Sequence, residues 1–119
     1  TNINIDDRGA IYYSSSRCSA IYLVVSNLLK NKDSDASKIY QEAAETLVVI
    51  VYLIDSDLNN ISSEEAVSRG NNLISEMVKL YTEDMESNYI KTGSHFNNTY
   101  IADDLLTCQS LVENLKDLK

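Results

Sequence analysis

The first pattern of apolar and polar positions along the chain has the spacing of a helix. Apolar or small residues recur every three or four positions, which places them on one helix face ending near Lys30. They are Ile11, Ser15, Cys18, Tyr22, Val25 and Leu29. A polar stretch, NKDSD at 31–35, follows, and Asp33 or Ser34 can cap a second helix because a short side-chain oxygen accepts a hydrogen bond from an unpaired backbone amide.

The second helix contains the most apolar stretch of the chain, LVVIVYLI at 47–54. Its β-branched run at 48–51 can also be read as a strand, but it continues a helical pattern that begins at Ile39, so a helix is predicted. The predicted inward face is Tyr40, Ala43, Ala44, Leu47, Val51 and Ile54. One stripe cannot bury all eight apolar residues. The helix is therefore either central and buried, which we favour, or it exposes Val49, Tyr52 and Leu53 to a second copy or a partner.

A third helix begins at a capping box formed by Ser62 and Glu65, with Ile61 and Ala66 at the hydrophobic-staple positions. Gly93 is placed to end this helix in a left-handed conformation. Gly70, inside the helix, indicates a point of close packing or a bend. The predicted inward line is Val67, Gly70, Ile74, Met77, Tyr81, Met85 and Asn88.

A fourth, shorter helix completes the pattern. Its apolar line is Ile101, Leu105, Cys108, Leu111 or Val112, and Leu115. Four amphipathic helices with short connections predict an all-α fold, an antiparallel four-helix bundle with a long third helix. We expect a single domain over residues 1–119, in which the first and fourth helices are neighbours.

The two cysteines, Cys18 and Cys108, lie on the apolar faces of the first and fourth helices. A disulfide between them is the favoured interpretation, and it would stabilise the fold by about 4 kcal/mol in the chain-entropy model. The alternative is two small buried side chains. A catalytic thiol is disfavoured because it usually needs a histidine base. Disulfides persist in oxidising compartments, so we expect an extracytoplasmic protein, periplasmic or secreted, whose signal peptide preceded Thr1.

The charge balance narrows the choice of partner. Ten Lys and Arg against eighteen Asp and Glu give a formal charge of -8. Nucleic acid is disfavoured because its binding depends on cations that meet phosphates, whereas a basic protein surface is favoured. The apolar run at 47–54 is far shorter than the ~20 residues of a membrane span, so no membrane insertion is expected.

The sequence contains few residues or motifs typical of a catalytic, metal or cofactor site. His95 is the only histidine, which leaves no ligand set for a di-iron or zinc site, and a solvated loop residue is favoured over a weak metal site with Asp103 or Asp104. No phosphate loop, dinucleotide fingerprint or haem attachment motif occurs. Paired carboxylates, the one feature that suits acid/base catalysis, are Asp6-Asp7, Glu64-Glu65, Glu83-Asp84 and Asp103-Asp104. Adjacent residues on a helix point apart, so no catalytic residue, cofactor or metal is predicted.

The segments RCSAIY at 17–22 and DDLLTC at 103–108, in a chain of acidic helices, resemble small exported bacterial helical proteins, including immunity proteins that neutralise periplasmic toxins. The resemblance implies a non-enzymatic module that binds a protein partner, immunity- or adaptor-like, as a monomer or homodimer. A small-molecule site among the tyrosine-bearing helices is the alternative, and an acid/base hydrolase is less favoured.

Overall fold

A computed structural model of the protein describes residues 7–93 and 100–116. Within these residues the chain forms helices and no strand: α1 (Arg8–Leu29), α2 (Ser34–Asn59), α3 (Ser63–Thr92) and α4 (Tyr100–Lys116). The all-α fold class and the long third helix are confirmed. The β-branched run at 48–51 is helical, as predicted, because no second strand is present there to pair with it.

The predicted helix ends are formed by local side-chain and backbone chemistry. The Asp33 side chain accepts a hydrogen bond from the Ala36 amide at 3.0 Å, and Ser62 accepts one from the Glu65 amide at 3.1 Å. Gly93 ends α3 with a left-handed φ of 77°. The cap at Asp7, whose side chain accepts from the Ala10 amide at 3.1 Å, was not among the predictions.

Helix α1 lies at the centre of the fold, and the prediction that α2 is the central, buried helix is wrong. Helix α1 contacts all three other helices, most extensively α2. The two run antiparallel, because Arg8 meets Asp57 at one end and Ser26 meets Ser37 at the other. Ser15, Ser16 and Ser19 are fully buried on α1, and their small side chains allow the neighbouring backbones to approach closely.

The inward face of α3 is close to the predicted line, with one correction. Ile74, Tyr81 and Met85 are buried, but Val67 is exposed and its neighbour Ala66 is buried in its place. Ala66 is the residue of the hydrophobic staple and stands four positions before the buried Gly70, so the inward line reaches the first turn of α3 through Ala66 rather than Val67.

A disulfide joins Cys18 of α1 to Cys108 of α4, as predicted, with the two Cα atoms 5.4 Å apart. Both residues are buried, and Leu111 of α4 is buried beside them. Leu105 and Val112 pack against the core, whereas the side chains of Ile101 and Leu115 lie outside the described part of the chain. Over the described helices, none combines the length and the apolar character that crossing a bilayer requires.

Candidate functional site

The apolar strip predicted on α2 lies at the surface. Val49 and Leu53 are 52% and 65% exposed, and Tyr52 is half-buried. The favoured expectation that these residues are buried is therefore wrong for Val49 and Leu53. Helix α2 buries Ala44, Leu47 and Val51 against the core, and the opposite side of the apolar run faces solvent.

This strip forms one wall of a groove between the C-terminal half of α2 and the first turns of α3. The groove has a volume of about 480 Å³ and is open to solvent along its outer side. Its lining consists of Val49, Tyr52, Leu53, Ser56, Asp57, Asn60, Ile61, Ser63 and Val67. The exposure of Val67, which departs from the sequence prediction, places a third apolar side chain opposite Val49 and Leu53 across the groove.

The floor of the groove is built by Tyr52 lying against Gly70 of α3. A Cβ atom at Gly70 would lie 2.8 Å from Cε1 and 2.9 Å from Cδ1 of the Tyr52 ring, so only glycine permits this approach. The Tyr52 hydroxyl donates a hydrogen bond to Oδ1 of Asn71. Gly70 is therefore a point of close packing, one of the two roles predicted for it.

The closed end of the groove is the tight connection between α2 and α3. Asn60 has a left-handed φ of 52° and ends α2. The Ser56 hydroxyl donates to the carbonyl of Ile61 at 2.8 Å, and the Ile61 amide donates back to the Ser56 carbonyl at 3.3 Å. Both polar groups of the Ile61 backbone are thus satisfied by one residue of α2, which fixes the end wall.

Beneath the groove, a buried polar cluster joins α1, α2 and α3. Asp55 is almost fully buried, with Nε of Arg69 3.1 Å from its Oδ2 and Nδ2 of Asn59 donating to its Oδ1 at 2.5 Å. Burial raises the pKa of Tyr12, and the charge of Asp55 raises it further, against the opposing charge of Arg69. The cluster fixes the spacing of the two helices that form the groove.

The lip of the groove carries one ion pair. Asp57 of α2 pairs with Arg8, the first residue of α1, and the two side chains are 62% and 60% exposed. The first turn of α3 adds the exposed carboxylates of Glu64 and Glu65 near the same end of the molecule. This end of the protein is therefore acidic around an apolar groove.

A second polar cluster lies where α1, α3 and α4 meet. Arg17 donates from Nε to the Tyr81 hydroxyl at 2.9 Å and from a terminal nitrogen to Tyr13 at 3.3 Å, and it pairs with Asp104. Tyr81 in turn donates to Asp104 at 3.1 Å. Sequence reasoning missed this cluster, because Arg17 and Asp104 are 87 positions apart and nothing in the segments RCSAIY and DDLLTC indicates that they pair.

Burial and neighbouring groups shift the pKa values of two residues in this cluster, Arg17 and Tyr81. Burial alone would lower the pKa of Arg17, but the hydrogen bond to Tyr81 and the charge of Asp104 outweigh it, so the pKa is raised and the guanidinium stays charged. Burial raises the pKa of Tyr81 to about 12 despite the nearby Arg17. Arg17 has its donors engaged by Tyr13, Tyr81 and Asp104, which makes this cluster a structural junction rather than an anion site.

Four members of the predicted carboxylate pairs have structural positions in or next to the described helices. Asp7 caps α1, Glu64 and Glu65 lie in the first turn of α3, and Asp104 pairs with Arg17. His95 and Asp6 lie outside the described residues. Within residues 7–93 and 100–116, no three His, Cys, Asp or Glu side chains converge to form a metal site.

The chain matches no protein family, no curated protein and no solved structure at a significant level. The groove and its chemistry are therefore the basis on which a function can be argued.

Proposed function

We propose that this protein is a non-enzymatic binding module, of the immunity or adaptor kind, that recognises a basic protein partner through the groove between α2 and α3. The observation that carries the proposal is the exposure of Val49 and Leu53, one helical turn apart, opposite Val67. A helix that already buries one apolar face and leaves a second one exposed is typical of an interaction surface.

The chemistry of the groove suits a protein better than a small molecule. A volume of about 480 Å³ is within the range of small-ligand sites, but such sites enclose most of their ligand and this groove is open along one side. The interior of the bundle, where the alternative would place a ligand, is occupied by Ile21, Leu47 and Val51, which are fully buried. A tyrosine floor flanked by aliphatic side chains is a composition found at the centres of protein interfaces.

The charge of the chain supports a basic partner. A formal charge of -8 attracts a cationic surface over distance, and the carboxylates at the groove end provide contacts for it. We expect the affinity for the partner to fall as salt rises, because exposed charges are screened. The buried Cys18–Cys108 disulfide supports an extracytoplasmic location, periplasmic or secreted, because such bonds persist in oxidising compartments.

Site-specific photo-crosslinking in the native host tests the proposal. A photoreactive amino acid at position 53 is expected to crosslink one basic protein that the same amino acid at Leu106, exposed on α4, does not capture. Affinity for that protein, measured with purified components, is expected to fall at least about tenfold in Val49→Ser/Leu53→Ser, since the loss of two anchors removes 1–2 kcal/mol or more.

The matched control is Leu80→Ser/Leu106→Ser, which removes two apolar side chains of comparable exposure outside the groove. It should leave the affinity within about twofold of wild type. Equal crosslinking from positions 53 and 106, or equal losses in the two double variants, would show that the groove is not the binding surface.

A further inference from the structure

The Arg8–Asp57 ion pair lies at the lip of the groove. Among the groove-lining residues in the described part of the chain, Asp57 alone carries a charge. In the structure its partner is Arg8 of α1, which does not line the groove. A segment that fills the groove with apolar side chains would therefore meet one formal charge there, and that carboxylate already holds an internal cation.

We propose that Asp57 is the carboxylate that receives a Lys or Arg of the bound partner, and that Arg8 occupies its place in the free protein. Binding then exchanges an internal cation for the partner's. This inference rests on the proposed function, since it names the chemistry of the partner segment in the same groove. The occupant to which it commits is an amphipathic helix with a cationic residue one turn from its apolar anchor.

The position of Arg8 argues that it does not serve the helix to which it belongs. It is the first residue of α1, where the helix dipole is positive and a cation is unfavourable. The first turn of α1 contains no acidic residue, and the carboxylate of the neighbouring N-cap residue Asp7 accepts a hydrogen bond from the Ala10 amide. Asp57, from another helix, is the carboxylate with which Arg8 pairs.

Because the Arg8–Asp57 pair is exposed, breaking it costs little free energy. At 60% and 62% exposure, both side chains are largely hydrated, and ion pairs of this kind contribute little to stability because water screens them. A partner cation that arrives with an apolar anchor gains the same carboxylate. The apolar contacts with Val49, Leu53 and Val67 then favour the exchange.

The charge and shape of the groove favour this occupant over a second copy of the chain. A second copy also carries a charge of -8 and would bring its own carboxylates to the acidic end. Val49 and Leu53 stand four positions apart on α2, which matches the one-turn spacing of anchors on a facing helix.

The test uses a fluorescently labelled synthetic helix with leucines at i, i+4 and i+7 and lysines at the other positions, bound to the full chain and followed by anisotropy. Asp57→Asn is expected to weaken binding about three- to tenfold. Arg8→Gln is expected to tighten it about two- to fivefold, because the internal competitor is gone. Opposite signs from the two members of one ion pair are the signature of the exchange.

Matched variants separate this exchange from a general effect of net charge. Lys38→Gln and Glu86→Gln make the same charge changes at exposed positions outside the groove and should move the affinity less than about twofold. In the Asp57→Asn background, Arg8→Gln should have no further effect on affinity, because the carboxylate for which Arg8 and the peptide compete is absent. Circular dichroism of each variant verifies that the fold is retained.

The proposal is overturned if the lysine peptide does not bind, if Arg8→Gln weakens binding or matches Lys38→Gln, or if its effect persists in the Asp57→Asn background. Val49→Ser/Leu53→Ser distinguishes this failure from failure of the proposed function. If that variant loses the crosslinked partner while the Arg8 effect is absent, the groove binds and the cation exchange does not occur. Sedimentation showing a dimer that the same variant disrupts would identify a second copy as the occupant and overturn the inference.

Discussion

Helices α1 and α2 reverse the expectation that the more apolar sequence is the more buried one. Helix α1 carries Ser15, Ser16 and Ser19, and all three are fully buried. Helix α2 carries the most apolar stretch in the chain, yet Leu53 in that stretch is 65% exposed. Burial here follows the place of a helix among its neighbours, because α1 is covered by three helices and α2 is not central.

Serine suits the centre of this bundle because its hydroxyl can be satisfied within its own helix. Ser16 donates to the Tyr12 carbonyl at 2.7 Å and Ser19 to the Ser16 carbonyl at 2.9 Å. Where α1 meets the start of α2, Ser26 donates to the Ser37 carbonyl at 2.9 Å and Ser37 to the Ser26 carbonyl at 2.8 Å. These four serines present a small surface to the neighbouring helix without leaving their hydroxyl groups unpaired.

The largest expected effect comes from removing the covalent link of the central helix. Cys18→Ala/Cys108→Ala is expected to lower the free energy of unfolding by about 4 kcal/mol, because the bond closes a loop of 90 residues in the unfolded chain. Chemical denaturation of this variant and of the wild type, each with and without reductant, measures the change. Reductant should move the wild type toward the variant and leave the variant unchanged; a loss below about 1 kcal/mol would contradict the prediction.

The contrast between the two helices predicts that two substitutions differ in their effect on stability. Ser19→Leu adds apolar volume at a fully buried position of α1 and is expected to cost about 1–3 kcal/mol through overpacking. Leu53→Ser makes the exposed strip of α2 polar and should change stability by less than about 0.5 kcal/mol. Urea denaturation of both variants compares them, and a stabilised Ser19→Leu would show that α1 is not closely packed.

Ser15 differs from the other buried serines of α1 in its hydrogen bonding. Its hydroxyl is fully buried and has no hydrogen-bond partner among the described residues, unlike that of Ser16. Ser15→Ala should therefore raise the free energy of unfolding by about 1 kcal/mol, since it removes an unpaired buried group. Ser16→Ala is the control, and it should be neutral or destabilising. Equal changes in the two variants would argue against hydrogen bonding as the reason for their difference.

The last prediction is a pH dependence of stability that is seen only in alkaline solution, and it concerns the junction of α1 with α3 and α4. The pKa of Tyr81 is raised, mainly by burial, from 10.0 to about 12, so the folded protein holds the phenolic proton more tightly than the unfolded chain does. Stability from this group is fully present below pH 10 and is lost as pH rises from 10 to 12. Absorbance titration of the phenolate and denaturation at several pH values measure it, with Tyr81→Phe as the control that should lose this part of the pH dependence.

Local patterns predicted most of the secondary structure and the disulfide. The caps at Asp33, Ser62 and Gly93 depend on residues within a few positions of one another, so the sequence carries the whole interaction. Cys18 and Cys108 were predictable as a pair because each lies on an inward helix face and the chain contains no other cysteine.

The candidate site was predictable only in part. The length of the apolar run indicated Val49, Tyr52 and Leu53 as an exposed strip, but only as the alternative to burial. The sequence did not predict Val67 as the opposite wall, nor the contact between Tyr52 and Gly70. Each depends on the rotation and approach of two helices, which small differences in packing decide.

What this sequence determined by itself was the set of four helices, their ends and the residues available for a covalent link, because propensity, capping and periodicity act within one segment. Only the tertiary structure decided that α1 is central, that the strip on α2 is exposed, and that Asp57 meets Arg8 at the groove while Asp104 meets Arg17. Those outcomes depend on which helix faces cover one another, a choice set by the sum of many contacts between distant segments rather than by any single stretch of sequence.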